Sequence, residues 1–423
     1  MKVAQSTSSG EKAEKKRPNP RFLGYLFAAS SASLGGTATY LATAILVASV
    51  GNSLQENARN TALVFALNLV ATSLILPYAT AIARRFGSIP TLYGARTALV
   101  VTKAFTGVAL IIIGPELAVF FVYAVMIGCF RGLLKPLTPT LLVHYSGWSL
   151  DDATATSRRY RGAAAAIGAL VAGFATSRIG AEPLFFFGAI LGVPVILYLF
   201  FRPPEKPLQK PRAVQKPWRN LFTCMRSSSI LRSAAWLGVA SAILLGPLVT
   251  MVVPILNHLG HGESAKAGLV FTLLALGQVL TPIVVRRLEL RRVPLVAATR
   301  GVQITAIAVL ALSTLVLLPD GPDLLLLILC VFVFGAVFFS VSSFLYESAT
   351  ADATEEQESE FLAAYMLVTG LGAPIGTLIW GHALGSVPLE IFFLAVSVVA
   401  AVLVPALLRK SLRAAAEASD SAK

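Results

Sequence analysis

Two basic residues lie deep within a long apolar stretch of this sequence, where a charged side chain is costly. Arg131 and Lys135 follow Glu116 in a run that is otherwise almost free of charge. If the run is a helix, Arg131 lies about 22 Å along it from Glu116, and Lys135 lies one turn further on the same face. Ionisable residues in such surroundings are candidates for contact with a ligand or ion. Arg131 therefore predicts a binding site for a negatively charged group.

Each basic residue within an apolar run also has a structural alternative. Arg131 could donate to backbone carbonyls of a neighbouring helix. Lys135 is expected to extend its stem toward the nearest aqueous surface. Lys103, in the preceding apolar run, is expected to have a packing role. Arg131 is thus the principal binding candidate among the three.

The elements that position these residues are membrane-spanning helices. Of the 423 residues, 56% are hydrophobic and only 13% are charged, against about 25% charged in soluble proteins. Apolar runs of this length suit helices that cross a bilayer, because open strands cannot satisfy their backbone groups in lipid. We therefore predict an all-α membrane protein with twelve spans, at residues 22–49, 60–82, 93–114, 116–144, 162–179, 183–201, 230–256, 266–286, 294–318, 323–347, 361–382 and 387–408.

The positions of the charges exclude several classes of function. The formal net charge is +14, but Lys and Arg cluster in short segments between apolar runs, which does not predict nucleic-acid binding. The three cysteines are too scattered for a disulfide framework or a zinc site. No phosphate-binding loop, zinc-binding helix or nucleophile elbow is present in the sequence. We expect no enzyme activity, no cofactor and no metal.

The distribution of Lys and Arg predicts the orientation. These residues concentrate in alternate connections and in both tails, which places both termini in the cytoplasm of a cell-membrane protein. The predicted segments are a cytoplasmic N-tail at 1–21, a six-helix bundle at 22–201, a basic linker at 202–229, a second bundle at 230–408 and a C-tail at 409–423. A short helix on the inner membrane surface is one interpretation of the linker's end; a simple approach to the seventh span is the other.

The two predicted bundles are related in sequence. Leu63-Val-Phe-Ala-Leu67 matches Leu269-Val-Phe-Thr-Leu273, and Asp152-Ala-Thr154 matches Asp352-Ala-Thr354. Basic pairs, Arg84-Arg85 and Arg286-Arg287, follow the second span of each half. This order of matches predicts a pseudo-symmetric protein.

Six plus six spans with a long basic central connection resemble the major facilitator superfamily. Its signature after the second span is Gly-x-x-x-Asp-Arg-x-Gly-Arg-Arg, and the segment from Thr80 to Ile89 matches it at Arg85 and Gly87, while Thr80 and Arg84 replace the Gly and the Asp. The resemblance implies alternating access around a site at mid-membrane. It also implies two gating loops, which contain Arg84, Arg85, Gly87, Arg96, Arg286, Arg287 and Arg300.

The resemblance further implies that spans one, four, seven and ten line the solute path. The aromatic and hydroxyl candidates on spans one, seven and ten are Tyr40, Trp236, Phe338 and Ser340, each with helix packing as the alternative. Aromatic residues with few charges favour a bulky, partly apolar ligand.

Three functions are compatible with these features. The first is export of a small amphiphilic or drug-like solute. The second is uptake of an organic anion through Arg131 and Lys135. The third, a polytopic membrane enzyme or lipid-handling protein, has no supporting cluster of residues. The first three spans contain no Asp or Glu, which weakens proton exchange, and no coupling ion is assigned. We expect a monomer in a lipid bilayer with a small-molecule substrate and no nucleic acid.

Overall fold

The computed structural model describes residues 19–148, 150–203, 217–289, 294–316, 323–353 and 358–407. Within these ranges the chain forms helices and no strand, and twelve helical segments are long and apolar enough to cross a membrane. The predicted all-α architecture with twelve spans is therefore confirmed. The N-tail to residue 18, residues 204–216 of the linker and the C-tail lie outside the described residues.

The first half contains seven helices, because the sixth span is divided near Gly192. Their bounds are α1 (Pro20–Val50), α2 (Leu54–Phe86), α3 (Ser88–Ile112), α4 (Leu117–Ser146), α5 (Leu150–Ile179), α6 (Pro183–Ile190) and α7 (Val193–Phe201).

The second half follows a short helix, α8 (Pro217–Ser227). Its spans are α9 (Ser229–Leu244) with α10 (Pro247–His258), α11 (Ser264–Glu289), α12 (Pro294–Val316), α13 (Asp323–Thr350), α14 (Glu358–Ala383), and α15 (Leu389–Val398) joined to α16 (Val404–Leu407) by a π-helical turn. Helix α8 agrees with the short helix considered for the linker. Its Phe222 is exposed while Cys224 is buried, so the helix has two distinct faces.

One predicted boundary differs greatly from the structure. Helix α5 begins at Leu150, whereas the sequence placed the start of this span at residue 162. The charged segment before residue 162 continues the helix. A hydropathy boundary marks the end of an apolar run, and the helix itself extends beyond it.

Small residues bring α4 against α2. A Cβ atom on Gly132 would lie 1.9 Å from Ile75 Cγ2, and one on Gly128 would lie 2.4 Å from the Asn68 carbonyl oxygen. Asn68 Nδ2 donates to the carbonyl oxygen of Ala124 at 3.0 Å. Close backbone approach of this kind drives helix association in lipid, and it fixes the turn of α4 that carries the intervening arginine.

The two halves pack closely at one end of the bundle. Twelve crossings return the chain to the side on which it began, so Pro20 and Leu407 lie at the same side, which we call the terminal face. At the opposite face, a Cβ atom on Gly173 of α5 would lie 2.7 Å from Gly268 Cα of α11. A Cβ atom on Gly381 of α14 would lie 2.1 Å from the Ala62 Cβ of α2. The halves are closed together at the opposite face.

Candidate solute-binding site

A cavity of about 690 Å³ lies between the two halves. Its wall includes Tyr346, which is four residues from the terminal-face end of α13, and Asn68, which is 18 residues from the corresponding end of α2. At 1.5 Å per residue, the wall extends from about 6 Å to about 27 Å below those helix ends. The cavity therefore occupies the middle of the bundle and continues toward the terminal face.

Basic side chains supply all of the charge in the described part of the cavity wall. All of them belong to α3, α4 and α5 of the first half, and the wall contains no Asp or Glu among the described residues. These side chains are Arg96, Lys103, Arg131, Lys135, Arg158 and Arg161. A cavity with this lining attracts anions and repels cations.

The six cations form three levels. Lys103 and Arg131 each lie 15 residues from the terminal-face end of their helix, which corresponds to a depth of about 22 Å. Lys135 and Arg161 lie 11 residues from theirs, at about 16 Å. Arg96 and Arg158 lie eight residues from theirs, at about 12 Å. Successive levels are separated by roughly one helical turn.

Lys103 is the most enclosed of these cations. Its side chain is buried, and Nζ donates to the Gly188 carbonyl oxygen at 3.2 Å. An ammonium has three donors, and Arg131 and Arg96 are close enough to repel its charge. A carbonyl oxygen offsets only part of the cost of a buried charge. An anion in the cavity would offset more.

Arg96 is held by a cluster of tyrosines near the terminal face. It shares a hydrogen bond with Tyr25, whose ring stacks on Tyr145 with centroids 5.2 Å apart. The Tyr145 hydroxyl donates to the Arg202 carbonyl oxygen at 2.6 Å. This cluster ties α1, α3, α4 and the end of α7 together beside Arg96.

Arg131 and Tyr40, the first two predicted binding residues, both line the cavity. In the described part of the chain Arg131 has no ion-pair partner. The Tyr40 ring lies 4.7 Å from the Phe65 ring and 5.8 Å from the Phe271 ring, measured between centroids. Since Phe271 belongs to α11, this aromatic group joins the two halves beside the cavity.

The other three predicted binding residues lie outside the cavity wall. Trp236 is 67% exposed on the outer surface of the bundle. The Phe338 ring stacks on the Phe334 ring with centroids 4.9 Å apart, and Ser340 Oγ donates to the Ala336 carbonyl oxygen at 2.6 Å. The span assignments placed these residues near the solute path, but each side chain points to lipid-facing surface or to helix packing.

Comparison with known families identifies the chain. A sequence model of the Major Facilitator Superfamily matches residues 22–377. The chain belongs to the major facilitator superfamily. The resemblance inferred from the spans and the loop after α2 is confirmed, and the protein is a multi-pass membrane transporter.

Solved structures of other superfamily transporters have the same fold. A POT family transporter in complex with 5-aminolevulinic acid is similar with a TM-score of 0.70, 13% identity, and coverage of 92% of this chain and 96% of that one. A D-xylose–proton symporter is similar with a TM-score of 0.68 and 14% identity, and the match covers 90% of this chain and 97% of that one. The human organic anion transporter MFSD10 is similar with a TM-score of 0.60 and 14% identity, and the match covers 89% of this chain and 95% of that one. At these identities the likeness concerns the fold alone, and a search of curated proteins finds no match.

The predicted gating residues of this superfamily member are only partly described. Gly87 joins α2 to α3 with a φ of +90°, a conformation that favours glycine. The guanidinium carbon of Arg85 lies 5.4 Å from the centre of the Phe86 ring, and Arg300 is exposed. The side chains of Arg84, Arg286 and Arg287 lie outside the described residues. Arg96 lines the cavity, and the gating roles stay predictions.

Two cavity residues, Arg158 and Arg161, lie outside the apolar runs of the sequence. Arg158 and Arg161 were assigned to a connection, because the apolar run begins only at residue 162. The structure extends α5 to Leu150, so both arginines lie on the cavity side of this helix, and Arg158 donates to Ser343 Oγ of α13. Arg158, Arg161 and Ala165 are spaced by three and then four residues, and this spacing indicates a common face if the segment is a helix.

Proposed function

We propose that this superfamily member transports small organic anions. The observation that supports it is a cavity wall with six basic residues and, in the described part of the chain, no acidic one. Among the described residues Arg131 has no ion-pair partner and Lys103 has one carbonyl partner, and an anionic solute would supply a negative charge to both. The volume of about 690 Å³ is within the range of small-molecule sites. The organic-anion alternative therefore takes precedence over a neutral or cationic drug-like solute.

The proposed binding residues are those at the deepest level. Arg131 and Lys103 face the cavity from α4 and α3, with Tyr40 beside them on α1. Arginine suits this role because its planar guanidinium can donate two parallel hydrogen bonds to a carboxylate or phosphate. The shallower cations would attract the anion along the cavity from the terminal face, which the Lys and Arg distribution assigns to the cytoplasm. The proposal covers both export and uptake.

The test uses two dyes that share a xanthene core and differ in charge. The purified protein is reconstituted in phosphatidylcholine liposomes, and the movement of 5-carboxyfluorescein and of rhodamine 123 is followed in both directions. We expect saturable transport of the anionic dye only. The proposal would be refuted if protein-dependent movement of rhodamine 123 were faster than that of 5-carboxyfluorescein. It would also be refuted if 5-carboxyfluorescein showed no protein-dependent movement.

A variant connects the transport to the cavity. Arg131→Gln removes one charge-assisted interaction of about 1.5–3 kcal/mol, so the rate at low dye concentration should fall at least tenfold. Arg178→Gln is the matched control, because Arg178 is exposed at the opposite-face end of α5 and is not part of the cavity wall. Equal loss of transport in both variants would remove the assignment to Arg131.

A further inference from the structure

The charged residues of the cavity wall lie in one half, although that half also contributes apolar residues such as Leu99, Leu134 and Leu142. The cations all belong to the first half, whereas the second half contributes no charged residue among those described. Apolar side chains make up most of the second-half wall: Val249, Phe271, Leu274, Ala275 and Met366. The remaining two, Gln278 and Tyr346, are polar and neutral. One side of the cavity is therefore suited to a charge, and the side across from it to an apolar body.

The two kinds of wall face each other at the same depth. Leu274 lies 15 residues from the terminal-face end of α11, as Arg131 lies 15 residues from that of α4. Both positions correspond to a depth of about 22 Å. Phe271, one turn deeper on α11, reaches across to the Tyr40 ring of the first half at 5.8 Å. The cations of the deepest level and the apolar patch thus border one space.

Neither a compact inorganic anion nor an uncharged apolar molecule satisfies both walls. The inorganic anion has no apolar surface of its own to remove from water against the Leu274 side, so it gains no hydrophobic contribution. The uncharged molecule would leave Arg131 and Lys103 without a negative partner in an enclosed space. A molecule with an anionic group at one end and an apolar body at the other satisfies both.

We infer that the substrate is an amphiphilic anion that bridges the halves, with its charged group on α3 and α4 and its apolar body on α11 and α14. This inference rests on the proposed function and adds to it the orientation of the substrate. Leu274 and Met366 become specificity-determining residues, which select the length of the apolar body. Arg131 and Lys103 select for the negative charge of the substrate and do not discriminate between apolar bodies of different length.

The test is a homologous series of probes with a permanent charge. Binding of methanesulfonate, butanesulfonate, hexanesulfonate and octanesulfonate to the full-length protein in phosphatidylcholine nanodiscs is measured by calorimetry, with empty nanodiscs as the blank. Each buried methylene should increase the affinity up to about fourfold. Affinity that does not change with chain length overturns the inference and leaves the anion proposal standing. Absence of binding by every sulfonate overturns both.

Variants on the two walls should have separate effects. Leu274→Asn should reduce the increment per methylene, so octanesulfonate should lose more affinity than methanesulfonate. Arg131→Gln should weaken the whole series by one common factor and preserve the increment. If instead Arg131→Gln removes the increment and Leu274→Asn weakens methanesulfonate as much as octanesulfonate, the proposed orientation is wrong.

Two further variants guard against a folding defect. Met366→Gln makes the same apolar-to-polar change on α14 at similar volume, and it should also reduce the increment. Leu276→Asn is the matched control, because Leu276 is two residues from Leu274 on α11 but is 38% exposed and is not part of the cavity wall. It should preserve the full increment, and a reduced increment in this variant overturns the assignment to the cavity.

Discussion

The contact between Gly173 and Gly268 allows a quantitative test of how the two halves separate. A Cβ atom on residue 268 would lie 2.7 Å from Gly173 Cα and 2.9 Å from the Ala169 carbonyl oxygen. Both neighbours are backbone atoms, so the clash cannot be relieved by a side-chain rotation. Gly268→Ala must move α5 away from α11, and such overpacking costs about 1–3 kcal/mol.

This cost should fall on one conformation of the carrier. The superfamily resemblance implies an alternating-access cycle, in which the halves would pack at the opposite face while the cavity is open toward the terminal face. A selective penalty of about 1–3 kcal/mol changes the ratio of the two conformations by roughly fivefold to 150-fold. Gly268→Ala should therefore favour the state that is open at the opposite face.

Distances between spin labels would measure this ratio directly. Labels at Arg178→Cys and Lys266→Cys report on the opposite-face ends of α5 and α11, in a background without Cys129, Cys224 and Cys330. In Gly268→Ala, the ratio of the long-distance population to the short-distance population should rise by roughly fivefold to 150-fold.

The control for this experiment is Gly94→Ala, because a Cβ atom there meets nothing within 4 Å. Its distance distribution should match that of the parent protein. A population ratio that stays within twofold of the parent in Gly268→Ala, or an equal change in both variants, would refute the reasoning.

Two other predictions concern charge and packing. Lys103→Met should slow 5-carboxyfluorescein transport about tenfold yet preserve or raise the thermal unfolding temperature, since it removes a buried cation with a single carbonyl partner; unimpaired transport would assign Lys103 a packing role. Gly301→Ala should destabilise the protein by about 1–3 kcal/mol, because its Cβ atom would lie 2.5 Å from Val341 Cγ2. Val341→Ala in the same protein should restore most of the unfolding temperature, and no rescue would contradict the assigned clash.

The sequence by itself determined the number of spans, the helical class and the superfamily. These follow from hydropathy along the chain and from residues near the ends of spans, such as Arg85 and Gly87, so they need no knowledge of contacts. Arg131 and Tyr40, which the sequence predicts as binding residues, both line the cavity, and their binding role stays a prediction. A lone arginine in an apolar run is conspicuous because its burial is costly wherever the helix packs.

Only the tertiary structure decided which side chains face the cavity. Trp236, Phe338 and Ser340 lie on spans chosen correctly, but a span that is apolar all round gives no signal for the face turned toward solute, neighbour or lipid. Arg158 and Arg161 were missed for the converse reason, since their polar segment resembles a connection until α5 is seen to continue through it. The division of charge between the halves depends on helices far apart in sequence, and it exists only after α3, α4 and α5 pack opposite α11 and α14.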